Sequence, residues 1–151
     1  MSSEIDIRRK VELWLCEELN TRLESLRAYP SLGGNLDDSG EDTEDAANTP
    51  NGPYIGVRTI EAEEQLNNET WSIAAEVIFI SHQADLTSSQ HAVDARAIRD
   101  ALSSLRSTCV GMYEPIHLLV HGMEVAGGEA YNDDDDKSHG AAQRVVMGVT
   151  G

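Results

Sequence analysis

Apolar residues recur every three or four positions near the start of the chain, and this spacing predicts an amphipathic helix. The apolar positions are Ile7, Val11, Trp14, Leu15, Leu19, Leu23 and Leu26. We expect the helix to span roughly residues 4–28, because Tyr29 precedes Pro30 and the residue before a proline is pushed out of the helical region.

Two later segments alternate in the manner of β-strands, residues 54–63 imperfectly and residues 71–81 more regularly. In the second, the face that we expect to lie in the core consists of Trp71, Ile73, Ala75, Val77 and Phe79. The opposite face begins polar and becomes apolar at Ile78 and Ile80. We therefore expect these two side chains to be covered, either by a helix of the same chain or by a neighbouring subunit.

A second helix and two more strands follow. Thr87 and Gln90 have the spacing of a capping box, and the helix after them has a stripe formed by Ile98, Ala101, Leu102 and Leu105. Residues 116–125 and 141–150 are predicted strands, and one face of the last strand carries Val145, Met147 and Val149. The order helix, strand, strand, helix, strand, strand predicts an α+β fold. We expect a single domain over residues 1–151, with a mainly antiparallel four-stranded sheet and two packed helices.

Two acidic segments have few residues that could fill a core, so residues 31–53 and 127–140 are predicted to be long loops. The first has six carboxylates within nine residues, and the second has four consecutive aspartates. They are Asp37, Asp38, Glu41, Asp42, Glu44 and Asp45, and Asp133, Asp134, Asp135 and Asp136. We expect these side chains to be solvated or to line a channel, and weak binding of divalent cations stays open.

The charge balance restricts the partners. The chain has 27 acidic and 11 basic residues, which gives a formal net charge of −16. A protein this acidic repels phosphate backbones and anionic lipid, so direct binding of nucleic acid or membrane is not predicted. The sequence shows neither a signal peptide nor an apolar run long enough to span a bilayer, so we expect a cytoplasmic protein. Its cysteines, Cys16 and Cys109, are predicted to be reduced and partly buried.

Histidines and aspartates are concentrated around the start of the second helix, and they are the first candidates for a metal site or catalytic cluster. They are His82, Asp85, His91 and Asp94. Turns and helix caps favour aspartate for local hydrogen bonding, so we predict no metal site here. His117 and His121 have zinc-pair spacing for a helix, but on the predicted strand they would stand about 13 Å apart, too far to share an ion.

The first acidic segment begins like a calcium loop, with Asn35, Asp37, Ser39 and Gly40 at the matching positions. The position that requires a bidentate glutamate is Ala46, so an EF-hand is not predicted. The sequence also has no nucleophile elbow and no phosphate-binding glycine loop. We therefore predict a protein that is not an enzyme and has no cofactor or metal.

The leading amphipathic helix, the strands "GPYIGVRTIEAE" and "WSIAAEVIFIS", the helix "QHAVDARAIRDAL" and the two closing strands together resemble the tail terminator and tail completion proteins of long-tailed bacteriophages. The resemblance spans nearly the whole chain and implies a subunit without chemistry that assembles into a ring, commonly of six copies. Such a ring caps the tail tube and joins it to the head–tail connector. The implied partners are other copies of the chain, the tail tube protein and the connector, with DNA only as a passing neighbour and no membrane. The implied location is the virion tail or neck, assembled in the host cytoplasm.

The resemblance also assigns roles to particular residues. Family rings often have an acidic inner surface, which the two acidic segments would supply. Trp71, Ile78 and Ile80 are the residues that we expect at a subunit interface. The long acidic insertion after the first helix departs from the family pattern and leaves open a neck or head–tail connector subunit as the alternative.

Two readings from other classes stay open as well. An acidic decoy that mimics DNA would spread its carboxylates over folded faces, whereas ten of the 27 acidic residues here lie in two short runs, six within residues 37–45 and four at residues 133–136. A hydrolase that uses residues 82–94 would require a bound metal.

Overall fold

The computed structural model describes residues 4–23, 26–30, 54–65, 70–82, 88–133 and 138–151. These residues form two helices, α1 (Glu4–Arg22) and α2 (Ser88–Thr108), and one short 3-10 helix (Glu114–Ile116). The strands are β1 (Ala28–Pro30), β2 (Tyr54–Glu64), β3 (Thr70–His82), β4 (Gly111–Tyr113), β5 (Leu118–Asp133) and β6 (Ser138–Thr150). The predicted α+β class with two helices is confirmed.

The described strands form one sheet of six strands in the order β1-β2-β3-β6-β5-β4. β1 runs parallel to β2, and all other neighbours are antiparallel. The predicted four-stranded sheet is therefore wrong, because it lacks β1 and β4 at the two edges. Each of these strands has only three residues, which is too short to leave an alternating pattern in the sequence.

Helix α1 ends at Arg22, so its predicted continuation to residue 28 is wrong. The Asn20 side chain takes part in the turn that follows: its Oδ1 accepts a hydrogen bond from Ala28 N–H at 2.7 Å, and its amide donates to the Ala28 carbonyl at 3.4 Å. Leu26 and Ala28 are buried. In the sequence, Leu26 continues the apolar spacing of the helix. In the structure it lies after the end of α1, in the segment that leads into β1, and it is buried there.

Strands β5 and β6 form a long hairpin that pairs from Leu119 with Thr150 to Asp133 with Ser138. The predicted loop over residues 127–140 is therefore wrong where the structure describes it, since residues 127–133 and 138–140 are strand. Ladder hydrogen bonds join backbones, so this pairing does not require apolar side chains. Asp134, Asp135, Asp136 and the whole predicted acidic loop 31–53 lie outside the described residues.

Both helices pack on one face of the sheet, α1 over β1 to β3 and α2 over β5 and β6. The predicted core face of β3 is confirmed as buried, as are the predicted stripe of α2 and the predicted face of β6. The shared core also contains Ile7, Val11, Leu15 and Leu19 of α1. The other face of the sheet is thus left without a helix from the described part of the chain.

Candidate functional site

Ile78 and Ile80 lie on the sheet face that the helices leave uncovered, and we call this pair the isoleucine ridge. Both side chains are half-buried. The cross-strand neighbours of Ile78 are small, since it pairs with Gly56 and Ala142. Ile80 pairs with Gly140 on one side and with Tyr54 on the other. A Cβ atom added at Gly56 would meet no atom within 4 Å, so the space beside Ile78 is open. The ridge is therefore an apolar surface, and its Ile78 side chain stands above small neighbours on both sides.

Beside the ridge, the same sheet face carries paired charges. Glu76 Oε1 accepts hydrogen bonds from Arg58 Nη2 at 2.7 Å and from Arg58 Nε at 3.1 Å. Arg144 is the β6 neighbour of Glu76 and lies 3.6 Å from the carboxylate of Glu61. Exposed pairs of this kind contribute at most about 1 kcal/mol each to stability. They make the middle of this face polar, with the isoleucine ridge toward one end of the strands.

Trp71 does not share a surface with the isoleucine ridge. Its side chain lies on the opposite face of β3, is 8% exposed and belongs to the core beneath the helices. The structure therefore separates the three predicted interface residues into one core residue and two residues on the uncovered sheet face.

The predicted turn and helix residues do not assemble into a metal site in the described part of the chain. His91 is buried and its ring stacks on Phe79, with a centroid distance of 4.6 Å and an angle of 11° between the planes. Asp94 is half-buried one helical turn later. His82 is the last residue of β3, and Asp85 lies outside the described residues. Among the described side chains, no group of three or more His, Cys, Asp or Glu residues could hold a metal ion.

His117 and His121 lie in different structural elements and have different hydrogen-bond partners. His117 precedes β5 in a left-handed conformation with φ 53°, so the prediction that it lies on a strand is wrong. Glu114-Pro115-Ile116 forms a 3-10 helix, and His117 closes it with a backbone hydrogen bond to the Glu114 carbonyl. His121 lies on β5 and is 2.7 Å from the hydroxyl of Thr150.

Helix α1 covers one edge of the sheet with polar side chains. Besides Asn20 at β1, the carboxylate of Glu12 accepts hydrogen bonds from the backbone N–H of Thr59 at 2.8 Å and from its hydroxyl at 3.1 Å. Thr59 adjoins a β-bulge at Ile60 in β2. Glu12 is fully buried, and sequence reasoning did not identify it. Two features of the sequence could have indicated it. Glu12 lies next to Val11 in the apolar stripe of α1, and the alternation of apolar and polar residues in β2 is interrupted at Ile60.

The two cysteines are buried free thiols. Burial raises the pKa of Cys16, and the nearby Glu12 carboxylate raises it further. Burial likewise raises the pKa of Cys109, which lies next to the exposed Val110 after α2. Both thiols therefore stay protonated at neutral pH, which makes them poor nucleophiles.

A cleft of about 230 Å³ opens between α2 and the sheet. Val77, Phe79 and Ile98 form its apolar wall, and small residues of β5 and β6 contribute the rest. Arg96 and Arg99 line the cleft from α2, and both residues are exposed. Neither arginine forms a salt bridge with another described residue. We call this the arginine-rimmed cleft, and it too was not found from the sequence.

Gly128 and Gln143 fix the shape of the cleft on the β5 side. A β-bulge lies between Val125 and Gly128, and the Gln143 side-chain amide donates a hydrogen bond to the carbonyl of Ala126 there. A Cβ atom at Gly128 would lie 2.7 Å from Gln143 Oε1 and 2.8 Å from the Ala142 carbonyl oxygen. Only glycine lets the two strands approach this closely.

Comparison of the sequence with protein-family models finds no matching family, and comparison with curated proteins finds no significant match. None of the helices in the described ranges is long and apolar enough to cross a membrane.

Proposed function

We propose that the chain is a structural virion subunit that forms a ring at the head-proximal end of a phage tail tube, where it terminates the tail and joins it to the head connector. The observation that carries the proposal is the isoleucine ridge on the uncovered sheet face. Complete burial of an isoleucine side chain stabilises a protein by about 1.5–3 kcal/mol relative to exposure. The two half-buried side chains would gain part of that energy against a neighbouring subunit.

The order of elements supports the choice of a tail-end ring. Helix α1, strands β2 and β3, helix α2 and the β5–β6 hairpin follow the order on which the resemblance to tail terminators rests. A ring subunit requires exposed contact surfaces but no reactive groups. In the described part of the chain, the cysteines are buried and the histidines His91 and His121 are engaged with other side chains.

The acidity of the chain fits a ring through which DNA passes. Each copy has a net charge of −16, so a ring of several copies concentrates negative charge around its channel. Like charge on a channel wall repels the phosphate backbone and lets DNA pass without sticking. The proposed role therefore uses the charge for passage, and it requires no binding of DNA.

Assembly on purified tail tubes tests the proposal. We expect the wild-type protein to bind the tube end as a closed oligomer, visible by electron microscopy, and particles that lack the protein to have tubes of uncontrolled length. The variant Ile78→Lys with Ile80→Lys should fold but lose this binding. Ser72→Lys is the matched control, because Ser72 is half-buried on the same strand and face but away from the ridge. A wild-type protein that stays monomeric and never joins the tube or the connector would overturn the proposal.

A further inference from the structure

The chain carries an apolar projection and an apolar recess at the same level of the sheet, on opposite faces. The isoleucine ridge occupies positions 78 and 80 of β3, while Val77 and Phe79 of the same strand line the arginine-rimmed cleft. Successive side chains of a strand point to opposite faces, so ridge and cleft face away from each other. One copy cannot place its own ridge in its own cleft.

The cleft has a size and lining that suit an aliphatic side chain. A cavity of about 150 Å³ lined by apolar side chains stays dry and accepts a molecule as large as benzene. The cleft has a volume of about 230 Å³, and its apolar part is formed by Val77, Phe79 and Ile98, while Arg96, Arg99 and Gln143 also line it. Ala95 and Ala141 leave room at its wall. An isoleucine side chain would thus enter without displacing the core.

Charge also favours a second copy as the occupant. Two copies with a net charge of −16 each repel one another, so contact is most favourable where a basic surface of one meets the acidic surface of the other. Helix α2 provides such a surface through Arg96, Arg99 and Arg106, which are exposed and outnumber Asp94 and Asp100 on the same helix. The sheet face with the ridge provides carboxylates, since Glu76 lies two residues before Ile78 on the same strand face and Glu61 and Glu63 are exposed farther from the ridge.

We propose that the isoleucine ridge of one copy seats in the arginine-rimmed cleft of the next copy. This inference rests on the proposed function and specifies its subunit interface. A contact between two different surfaces of one chain is heterologous, and repetition of that contact closes a ring when the rotation between copies permits. If the ridge of one copy packed on the ridge of another, the two copies would be related by a twofold axis and no further copy could join through that surface.

Disulfide cross-linking on tail tubes tests the arrangement. One chain carries Ile80→Cys on the ridge and the other carries Ala95→Cys in the cleft. We expect a cross-linked dimer from the mixture, and none from either variant alone. The doubly substituted chain should give a ladder that ends at the closed ring. Wild type is a suitable background because both of its own cysteines are buried.

Ser103→Cys is the matched control for the cleft position, because Ser103 is exposed on α2 but does not line the cleft. It should not cross-link to Ile80→Cys. A dimer from Ile80→Cys alone would show ridge-to-ridge contact and overturn the inference, as would equal cross-linking to both α2 positions.

Charge reversal gives an independent measurement. Arg96→Glu with Arg99→Glu should raise the subunit concentration needed for assembly on tubes by about tenfold or more, because like charges then face each other across the contact. Arg9→Glu with Arg27→Glu makes the same change in net charge at exposed positions that do not line the cleft and lie outside α2, and it should have a smaller effect. Equal effects of the two pairs would contradict the inference. If wild type binds no tubes the proposed function fails, whereas binding without ridge-to-cleft cross-links refutes only this interface.

Discussion

Glu12 offers the sharpest test of how α1 is held on the sheet. Its carboxylate is fully buried and accepts two hydrogen bonds from Thr59, one from the backbone and one from the hydroxyl. Replacing Glu12 with alanine removes both acceptor contacts at once. Thr59 is buried beside the β2 bulge. Its backbone N–H would then lose the carboxylate that accepts its hydrogen bond.

The expected cost follows from these contacts. A hydrogen bond to a charged group contributes about 1.5–3 kcal/mol, and a buried donor left without its acceptor costs about 1–3 kcal/mol. We therefore expect Glu12→Ala to lower the free energy of unfolding by about 1.5–3 kcal/mol. At this chain length 1 kcal/mol shifts the melting temperature by about 2–4 °C, so the melting temperature should fall by about 3–12 °C. Glu12→Gln keeps an acceptor oxygen and should cost less.

Urea and thermal unfolding followed by circular dichroism measure this loss. Glu17→Ala is the control, because Glu17 is exposed on the same helix and should change stability by no more than about 0.5 kcal/mol. Thr59→Val removes only the hydroxyl contact, and a double-mutant cycle with Glu12→Ala would give the coupling energy between the Thr59 hydroxyl and the Glu12 carboxylate. A loss below about 1 kcal/mol for Glu12→Ala, or one equal to that of Glu17→Ala, would refute the reasoning.

Two further predictions concern the hairpin and the buried thiol. Gly128→Ala should destabilise the protein by about 1–3 kcal/mol, because its Cβ would collide with the Ala142 carbonyl, whereas Gly127→Ala meets open space and should cost much less in the same urea titration. Burial raises the pKa of Cys16 above its ordinary value of 9.0, so the thiol loses its proton more readily in the unfolded protein than in the folded one. The free energy of unfolding therefore falls as the pH rises above about 9. Cys16→Ala should weaken this decline between about pH 8 and pH 10, and an unchanged pH profile would argue against it.

The elements that could be predicted from the sequence are those in which one periodic apolar face packs on the core. In β3 and α2, each predicted core residue is buried because the alternation or the helical stripe is uninterrupted. In β5 the apolar pattern stops near Val125, and glycines and acids follow. The strand nevertheless continues to Asp133, since its partner β6 satisfies the backbone hydrogen bonds. Periodicity records side-chain burial, so it cannot reveal a strand that is held mainly by its backbone.

The surfaces were predictable to different degrees. The isoleucine ridge was visible because Ile78 and Ile80 interrupt a polar face within a single strand. The arginine-rimmed cleft was not visible, because its lining comes from α2 and three strands that are distant in sequence. Glu12 was missed for a different reason: glutamate is rarely buried, and its Thr59 partner depends on the register of a distant bulge.

The coverage of the β1–β2 edge by Asn20 and Glu12 has a consequence for the protein at high concentration. Unpaired backbone groups at a sheet edge invite strands of other molecules to add, which is a route to amyloid-like aggregates. Here Asn20 occupies both backbone groups of Ala28, and Glu12 occupies the N–H of Thr59. Growth by strand addition is thereby blocked at those positions. Fibril formation from the β1–β2 edge is therefore disfavoured even when the protein is concentrated.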